Sequence, residues 1–294
     1  MFGLLNIDKP RGVTSRDVVD RVARLVKPHK VGHAGTLDPL ATGVLVLCVG
    51  RATRLVPYIQ EQPKEYRAAF RFGCTSDTDD IEGDVRELAD APEVSREGVQ
   101  TAIPDFVGKI QQVPPRFSAV KIKGRRAYEL ARRGKEPELA ARTVHVDRID
   151  VVAFEYSMLT LDIECGSGTY VRAIGRDLGR AVGSGAIMTE LRRERIGVFR
   201  AENALSGNEL DRESIERGLL PPAMALAGRP CWTISDADAL PLTQGRDLPI
   251  CKARIHAAHP PADGSLSAVV NQNGVLVAVV KRVQDRLVPR QVFA

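Results

Sequence analysis

No stretch of this sequence is long and apolar enough to span a bilayer. The longest apolar runs, Val44–Val49 and Val275–Val280, fall far short of the roughly 18 residues that a membrane helix needs. Asp8 interrupts the N-terminus before a signal-like apolar core develops, so the expectation is a soluble protein that is not exported. Cysteine is scarce and scattered. Cys48, Cys74, Cys165, Cys231 and Cys251 include no C-x-x-C pair, which argues against a zinc ribbon or a disulfide framework and suits a reducing cytoplasm. Nucleotide-cofactor signatures are missing as well: no G-x-x-x-x-G-K-[ST] occurs, and both candidates for G-x-G-x-x-G break at the last glycine, at Val171 and Met188. His29 and His33 have metal-like spacing, but Gly32 disfavours a helix there and no Glu follows His29, so no metal site is expected. Internal repeats and low-complexity segments are also lacking.

What is present is ordinary globular composition. The chain has 294 residues, 44% hydrophobic and 27% charged, enough for a sizeable core and a small second domain. Its net charge of +5 is unevenly spread, since residues 109 to 148 hold eleven Lys and Arg against four acids. The remainder is slightly acidic. Such a segment is either a solvated helix with its loops or an arm that neutralises phosphates and releases counterions, and the interleaved Phe117 and Tyr128 favour nucleic acid.

Thr14-x-x-Asp17 reads as a capping box that opens a helix, with Val18, Val19, Val22, Leu25 and Val26 on one face and Pro28 beyond it. A glycine-rich loop, 32–43, then runs into Val44–Val49, which suits a strand buried on both faces. Residues 66–72 and 159–165 alternate as strands, whereas Val171, Ile174, Leu178 and Val182 predict a helix after the turn at 166–170. Strict βαβ alternation is lacking, which points to an α+β fold with a mixed, largely antiparallel sheet. Texture changes near Gly228. Short apolar runs and Asn271-Gln-Asn-Gly274 between Ala268–Val270 and Val275–Val280 predict a hairpin in a small β-rich domain over 231–294, with 1–230 as the larger domain. Residues 260–264 read as an exposed loop of the smaller one.

Asp38 precedes Pro39 within the glycine-rich loop. It could simply cap a helix or form an Asx-turn. A phosphoaspartyl enzyme would want a second acid at position 40, which is Leu, so phosphoryl transfer is disfavoured. The remaining chemistry is that of a carboxylate acting as nucleophile or base without a metal, with a cation such as Arg172 to keep it ionised in a closed pocket.

Six blocks occur in order: Leu5-Asn-Ile-Asp-Lys-Pro-Arg-Gly-Val-Thr-Ser15, Gly32-His-Ala-Gly-Thr-Leu-Asp-Pro-Leu-Ala-Thr-Gly43, Lys64-Glu-Tyr-Arg67, Thr75-Ser-Asp-Thr-Asp-Asp80, Pro114-Pro-Arg-Phe-Ser-Ala-Val-Lys121 and Gly168-Thr-Tyr-Val-Arg172. Together they resemble the motifs of the TruB family of tRNA pseudouridine synthases. The resemblance implies the α+β pseudouridine-synthase fold, a basic thumb insertion over about 109–148, and a PUA-like RNA-binding domain at the C-terminus. The implied activity is isomerisation of uridine 55 in the T-loop of tRNA, without metal or organic cofactor. A cytoplasmic monomer needing no obligate protein partner is implied too, with the tRNA T-arm stem-loop as its ligand.

Residue by residue, Asp38 matches the family's catalytic aspartate and Arg172 the arginine that pairs with it. Tyr66 matches the tyrosine that stacks on the flipped uracil, where a π-face holds the base and the hydroxyl stays near the reacting atoms. Tyr170 and Leu191 match further substrate contacts, Leu191 through its backbone groups. His33 matches a histidine that fills the space the target nucleotide vacates. Lys9 and Pro10 would brace the catalytic loop, and Arg192, Arg193 and Arg195 would extend the basic footprint. Asp80 falls in an acid cluster that could order a loop as readily as touch substrate. Attack at C1′, addition to C6 and a glycal route all remain open for Asp38. Two other readings compete: an RNA chaperone for the tRNA elbow that uses the same basic surface without Asp38, and a hydrolase that releases uracil.

Overall fold

The computed structural model describes residues 1–118, 121–122, 125–127, 139–256 and 261–293, with side chains left aside at 121–122 and 125–126. The central part of the basic segment, including Tyr128 and the side chains of Arg125 and Arg126, therefore lies outside the described residues, as does Pro260 of the expected loop.

The main sheet has ten strands: β1 (Gly3–Lys9), β2 (Val31–His33), β3 (Thr42–Val49), β4 (Lys64–Phe72), β5 (Gly108–Gln112), β6 (Arg142–Glu155), β7 (Met158–Cys165), β8 (Ala186–Ile196), β9 (Phe199–Arg200) and β10 (Leu205–Ser206). Their order is β10-β1-β3-β8-β4-β7-β6-β5, with β9 on β8 and β2 on β3. Only the β1–β10 and β3–β8 pairings are parallel, which makes the sheet mixed and largely antiparallel, as the pattern of the sequence implies.

Side-chain alternation divides the work of the two faces. Leu159, Leu161, Ile163 and Cys165 of β7 join Tyr66, Ala68 and Phe70 of β4 in one apolar cluster. Helices α1 (Ser15–Leu25), α3 (Arg96–Ala102) and α4 (Val171–Ala181) contribute Val18, Val19, Val22, Val99, Val171, Ile174 and Leu178 to it. The capping box at Thr14 and Asp17 is formed. Helix α4 comes unusually close to the sheet, since a Cβ on Gly175 would lie 2.2 Å from the Phe70 ring; only a glycine permits this approach. On the other face of β4, β7 and β8 the polar positions interlock as ion pairs, with Arg67–Asp162 at 2.8 Å and Arg195–Glu65 at 2.6 Å.

β3 is buried along nearly its whole length. On its second face, Val44 and Val46 share one apolar cluster with Ile59 of the short helix α2 (Val56–Gln60) and with Ala268, Leu276, Val279 and Phe293 of the C-terminal part of the chain. After the small helix α5 (Arg212–Arg217) comes the second sheet. It comprises β11 (Cys231–Ile234), β12 (Leu248–Pro249), β13 (Arg254–Ile255), β14 (Leu266–Asn271), β15 (Leu276–Val283) and β16 (Arg286–Val292), in the order β12-β16-β15-β14-β11-β13, with helix α6 (Asp236–Thr243) alongside. The expected hairpin joins β14 to β15. Asn271 Oδ1 accepts from the amides of Asn273 and Val275 at 3.1 and 3.0 Å and so closes its turn. This is the β-rich, PUA-like part of the fold. No helix among the described residues is long and apolar enough to cross a membrane.

Candidate active site

The loop between β2 and β3 is fixed on both sides of Asp38. Before it, Ser15 at the start of α1 exchanges two hydrogen bonds with Leu37: its Oγ donates to the Leu37 carbonyl at 3.0 Å and accepts from the Leu37 amide at 2.8 Å. After it, the Pro39 carbonyl accepts from the Gly12 amide at 2.8 Å and from Lys9 Nζ at 3.4 Å. Lys9 is fully buried, and its ammonium also donates to the carbonyls of Pro10 and Val13 at 2.9 and 2.7 Å. Burial lowers its pKa to about 8. The opening motif therefore braces the Asp38 loop, as its resemblance implies.

Arg172 Nη2 lies 3.1 Å from Asp38 Oδ2, and Nη1 lies 3.0 Å from Asp80 Oδ2. The three side chains are unequally accessible: Arg172 is 7% exposed and Asp80 4%, whereas Asp38 is 36% exposed. The guanidinium is thus sealed behind an inner carboxylate and presents an outer one to the opening. Nη1 also donates to the Thr78 carbonyl at 2.8 Å and Nη2 to the Phe117 carbonyl at 3.1 Å. Asp80 is held in turn by Thr78 Oγ1 at 2.6 Å and the Glu82 amide at 3.0 Å.

Pairing with Arg172 favours the ionised form of Asp38. Burial nonetheless pushes its carboxyl above the usual range; Arg172 and Lys9 oppose that rise and the neighbouring Asp80 adds to it. Desolvation outweighs both cations, one of which, Arg172, is shared with Asp80.

Tyr66 projects from β4 into the same region, in register with Arg193 of β8 and Ile163 of β7. Burial raises its phenol, against the pull of Arg193, and Asp38 is close enough to raise it further. Leu191 stands on β8 opposite Ala68, 8% exposed. It lines a cleft of about 270 Å³ with Arg11, Leu40, Thr42 and Arg67. Tyr170 immediately precedes α4. Its amide and carbonyl are both bonded to the Gln112 side chain, at 2.8 and 3.1 Å, and the Arg142 guanidinium lies over its ring at 4.7 Å. His33 ends β2, half-buried, opposite Leu47. The structure pairs Asp38 with Arg172 directly and sets Tyr66 within electrostatic reach of Asp38.

Of Arg192, Arg193 and Arg195, expected to extend a basic RNA footprint, Arg193 does not belong to it, whereas Arg192 is partly exposed and lines the same cleft as Leu191. Arg193 is buried, and it donates to the carbonyls of Val44 at 2.7 Å and Gly35 at 3.1 Å, clasping the two ends of the Asp38 loop. Arg195 is spent on Glu65 and Glu164, and Arg192 bridges both oxygens of Asp8. Counting charges along a strand cannot see these partners. One sequence signal does mark the contact with β8: Gly43 has φ +95°, and a Cβ there would sit 2.2 Å from the Arg193 carbonyl oxygen. Gln112, 1% exposed, carries no such signal.

The profile described as "TruB family pseudouridylate synthase (N terminal domain)" matches residues 23–171. The tRNA pseudouridine synthase B of Caulobacter vibrioides is 40% identical over 299 residues, covering 99% of this chain and 96% of that protein. The protein of the same name from Mycobacterium leprae is 42% identical over 284 residues, covering 92% of this chain and 88% of its own. Among solved structures, one of an H/ACA RNP bound to a substrate RNA containing 2′-deoxyuridine superposes with a TM-score of 0.77 at 26% identity, over 100% of this chain and 85% of that one. A Cbf5–Nop10–Gar1 complex gives a TM-score of 0.75 at 28% identity, over 100% and 84%. The architecture is the pseudouridine-synthase fold. Within that class the chain belongs to the TruB family of pseudouridylate synthases.

Proposed function

We propose that this protein isomerises uridine 55 in the T-loop of tRNA to pseudouridine. The observation that carries this reading is the Asp38–Arg172 pair at 3.1 Å, with the aspartate at the opening and the arginine sealed behind it. The reaction breaks the bond from N1 of uracil to C1′, turns the base while it stays bound, joins C5 to C1′, removes the proton from C5 and places one on N1, so that no atom is gained or lost overall. A single carboxylate working on a trapped sugar and base suits that sequence, and Arg172 keeps Asp38 aimed throughout.

A uridine stacked within the folded T-loop must first leave its stack, at a cost of about a few kcal/mol. Tyr66 offers a stacking face for the extruded base, Tyr170 and the backbone of Leu191 further contacts, and His33 a side chain to fill the vacated space. The basic segment 109–148 supplies contacts to phosphate, so affinity for the T-arm falls as salt rises. The loop is read chiefly by shape and by splayed bases. A cytoplasmic monomer acting without a protein partner, organised as 1–230 and 231–294, completes the reading.

The test is pseudouridine formation in an unmodified T-arm stem-loop, with wild type and Asp38→Ala side by side and a metal chelator present. Conversion of one uridine by wild type alone supports the proposal. Release of free uracil would point to a hydrolase, and tight binding without conversion by either protein to a chaperone.

A further inference from the structure

Arg176 follows Arg172 by one helical turn on α4, so both guanidiniums leave the same side of the helix. Their contacts run in parallel. Arg172 takes Asp80 from the acid loop and the Phe117 carbonyl from the segment that follows β5. Arg176 takes Asp79 from the same loop at 3.0 Å and the Val113 carbonyl from the same segment at 2.8 Å. Asp177 orients Arg176 through two further bonds, to Nε at 2.8 Å and Nη2 at 3.0 Å. The Arg176 and Asp79 side chains are largely buried. Asp79 adopts φ +61° at the turn of the acid loop, and its carbonyl accepts from the Met188 amide of β8 at 3.1 Å.

Arg172 can address Asp38 only if Thr78, Asp80 and Phe117 hold its other donors in place. Those three groups lie on the two segments that Arg176 ties together. We propose that Arg176 and Asp79 form a positioning pair, a second clasp that sets the placement of Arg172 against Asp38 without touching substrate. This inference rests on the isomerase reading above, because positioning has meaning only for a reacting site. A buried Arg–Asp pair that merely stabilised the fold would affect melting and leave the rate on folded protein intact.

The experiment measures single-turnover conversion of the T-arm uridine, affinity for the same RNA, and thermal melting. The proteins are wild type, Asp79→Asn, Arg176→Gln, Arg176→Lys and the Asp79→Asn/Arg176→Gln double variant. Asparagine tolerates positive φ, so Asp79→Asn removes the charge without straining the turn. Each of Asp79→Asn and Arg176→Gln is expected to lower the rate constant by about 10- to 100-fold, the scale of a misplacement of roughly 1 Å, with RNA affinity unchanged. The double variant should be no slower than the slower single one, because both remove the same contact. Arg176→Lys should recover part of the rate through its charge. Wild-type rates in both single variants, a loss confined to RNA affinity, or rates that fall only with the folded fraction would each overturn the inference while wild type remains active. Failure of wild type itself to convert uridine removes the isomerase reading, and the inference with it.

Discussion

Asp80 and Arg172 form an ion pair of 3.0 Å in which neither side chain is more than 7% exposed. The catalytic candidate Asp38 takes only the outer flank of the same guanidinium. Arg172 therefore stays neutralised whether or not Asp38 carries charge, which separates the chemistry of the aspartate from the integrity of its support.

Asp38→Asn should accordingly abolish turnover while leaving T-arm RNA binding largely intact. Melting temperature should be unchanged or higher, because the substitution removes a carboxylate that burial disfavours. Single-turnover assays, filter binding and thermal melts on one preparation check all three. Substantial conversion by Asp38→Asn would remove the aspartate from the mechanism.

The raised pKa of Asp38 fixes a sign in pH. A carboxyl whose pKa is higher folded than unfolded contributes stability that is fully present below the unfolded value and lost as pH rises through the folded one. Near neutrality this group costs stability, whereas its ionised form is the one needed as nucleophile or base. The single-turnover rate should fall as pH is lowered through a pKa above the ordinary aspartate value of 3.8. Asp80→Asn should shift that acid limb to lower pH, since it removes a like charge. A limb that moves upward in Asp80→Asn would contradict the electrostatics.

Gln112→Leu leaves the amide of Tyr170 without its partner at the start of α4, while the Tyr170 carbonyl keeps only the Ile174 amide at 3.2 Å. One half-buried backbone donor is left unsatisfied, at a cost of about 1–3 kcal/mol. The variant should melt earlier and convert uridine more slowly, as Arg172 lies on the first turn of the loosened helix. Urea unfolding checks the stability change.

Gly175→Ala sets helix propensity against packing. Alanine favours a helix interior by about 1 kcal/mol, but here its methyl meets the Phe70 ring, and overpacking of a filled core costs about 1–3 kcal/mol. The expected outcome is net destabilisation with reduced activity. A pairing of Gly175→Ala with Phe70→Leu should recover part of both, measured by thermal melting and single-turnover rates.

Much of this arrangement was legible in the sequence because its signals are local. The capping box at Thr14, the alternation of residues 159–165 and the Asn271–Gly274 turn each state their own geometry within a few residues. Asp38 and Arg172 were legible through motifs, and their meeting in space follows from the resemblance. The roles of Arg193 and Arg195 were not, because a guanidinium on a strand looks the same whether it faces phosphate or the carbonyls of Gly35 and Val44. Gln112 was invisible for a related reason: its partner, the backbone of Tyr170, is distant in sequence and any residue there offers the same amide. Asp80 lay within a recognisable acid cluster, yet only the fold shows that one of its acids faces inward to the arginine.

The apolar cluster that holds Val44 and Val46 together with Val279 and Phe293 couples the two sheets through buried side chains. Melting one sheet would expose the underside of β3, the strand that leads directly from the Asp38 loop. Heat should meet one cooperative barrier, and the aspartate's aim should endure until the C-terminal sheet itself gives way.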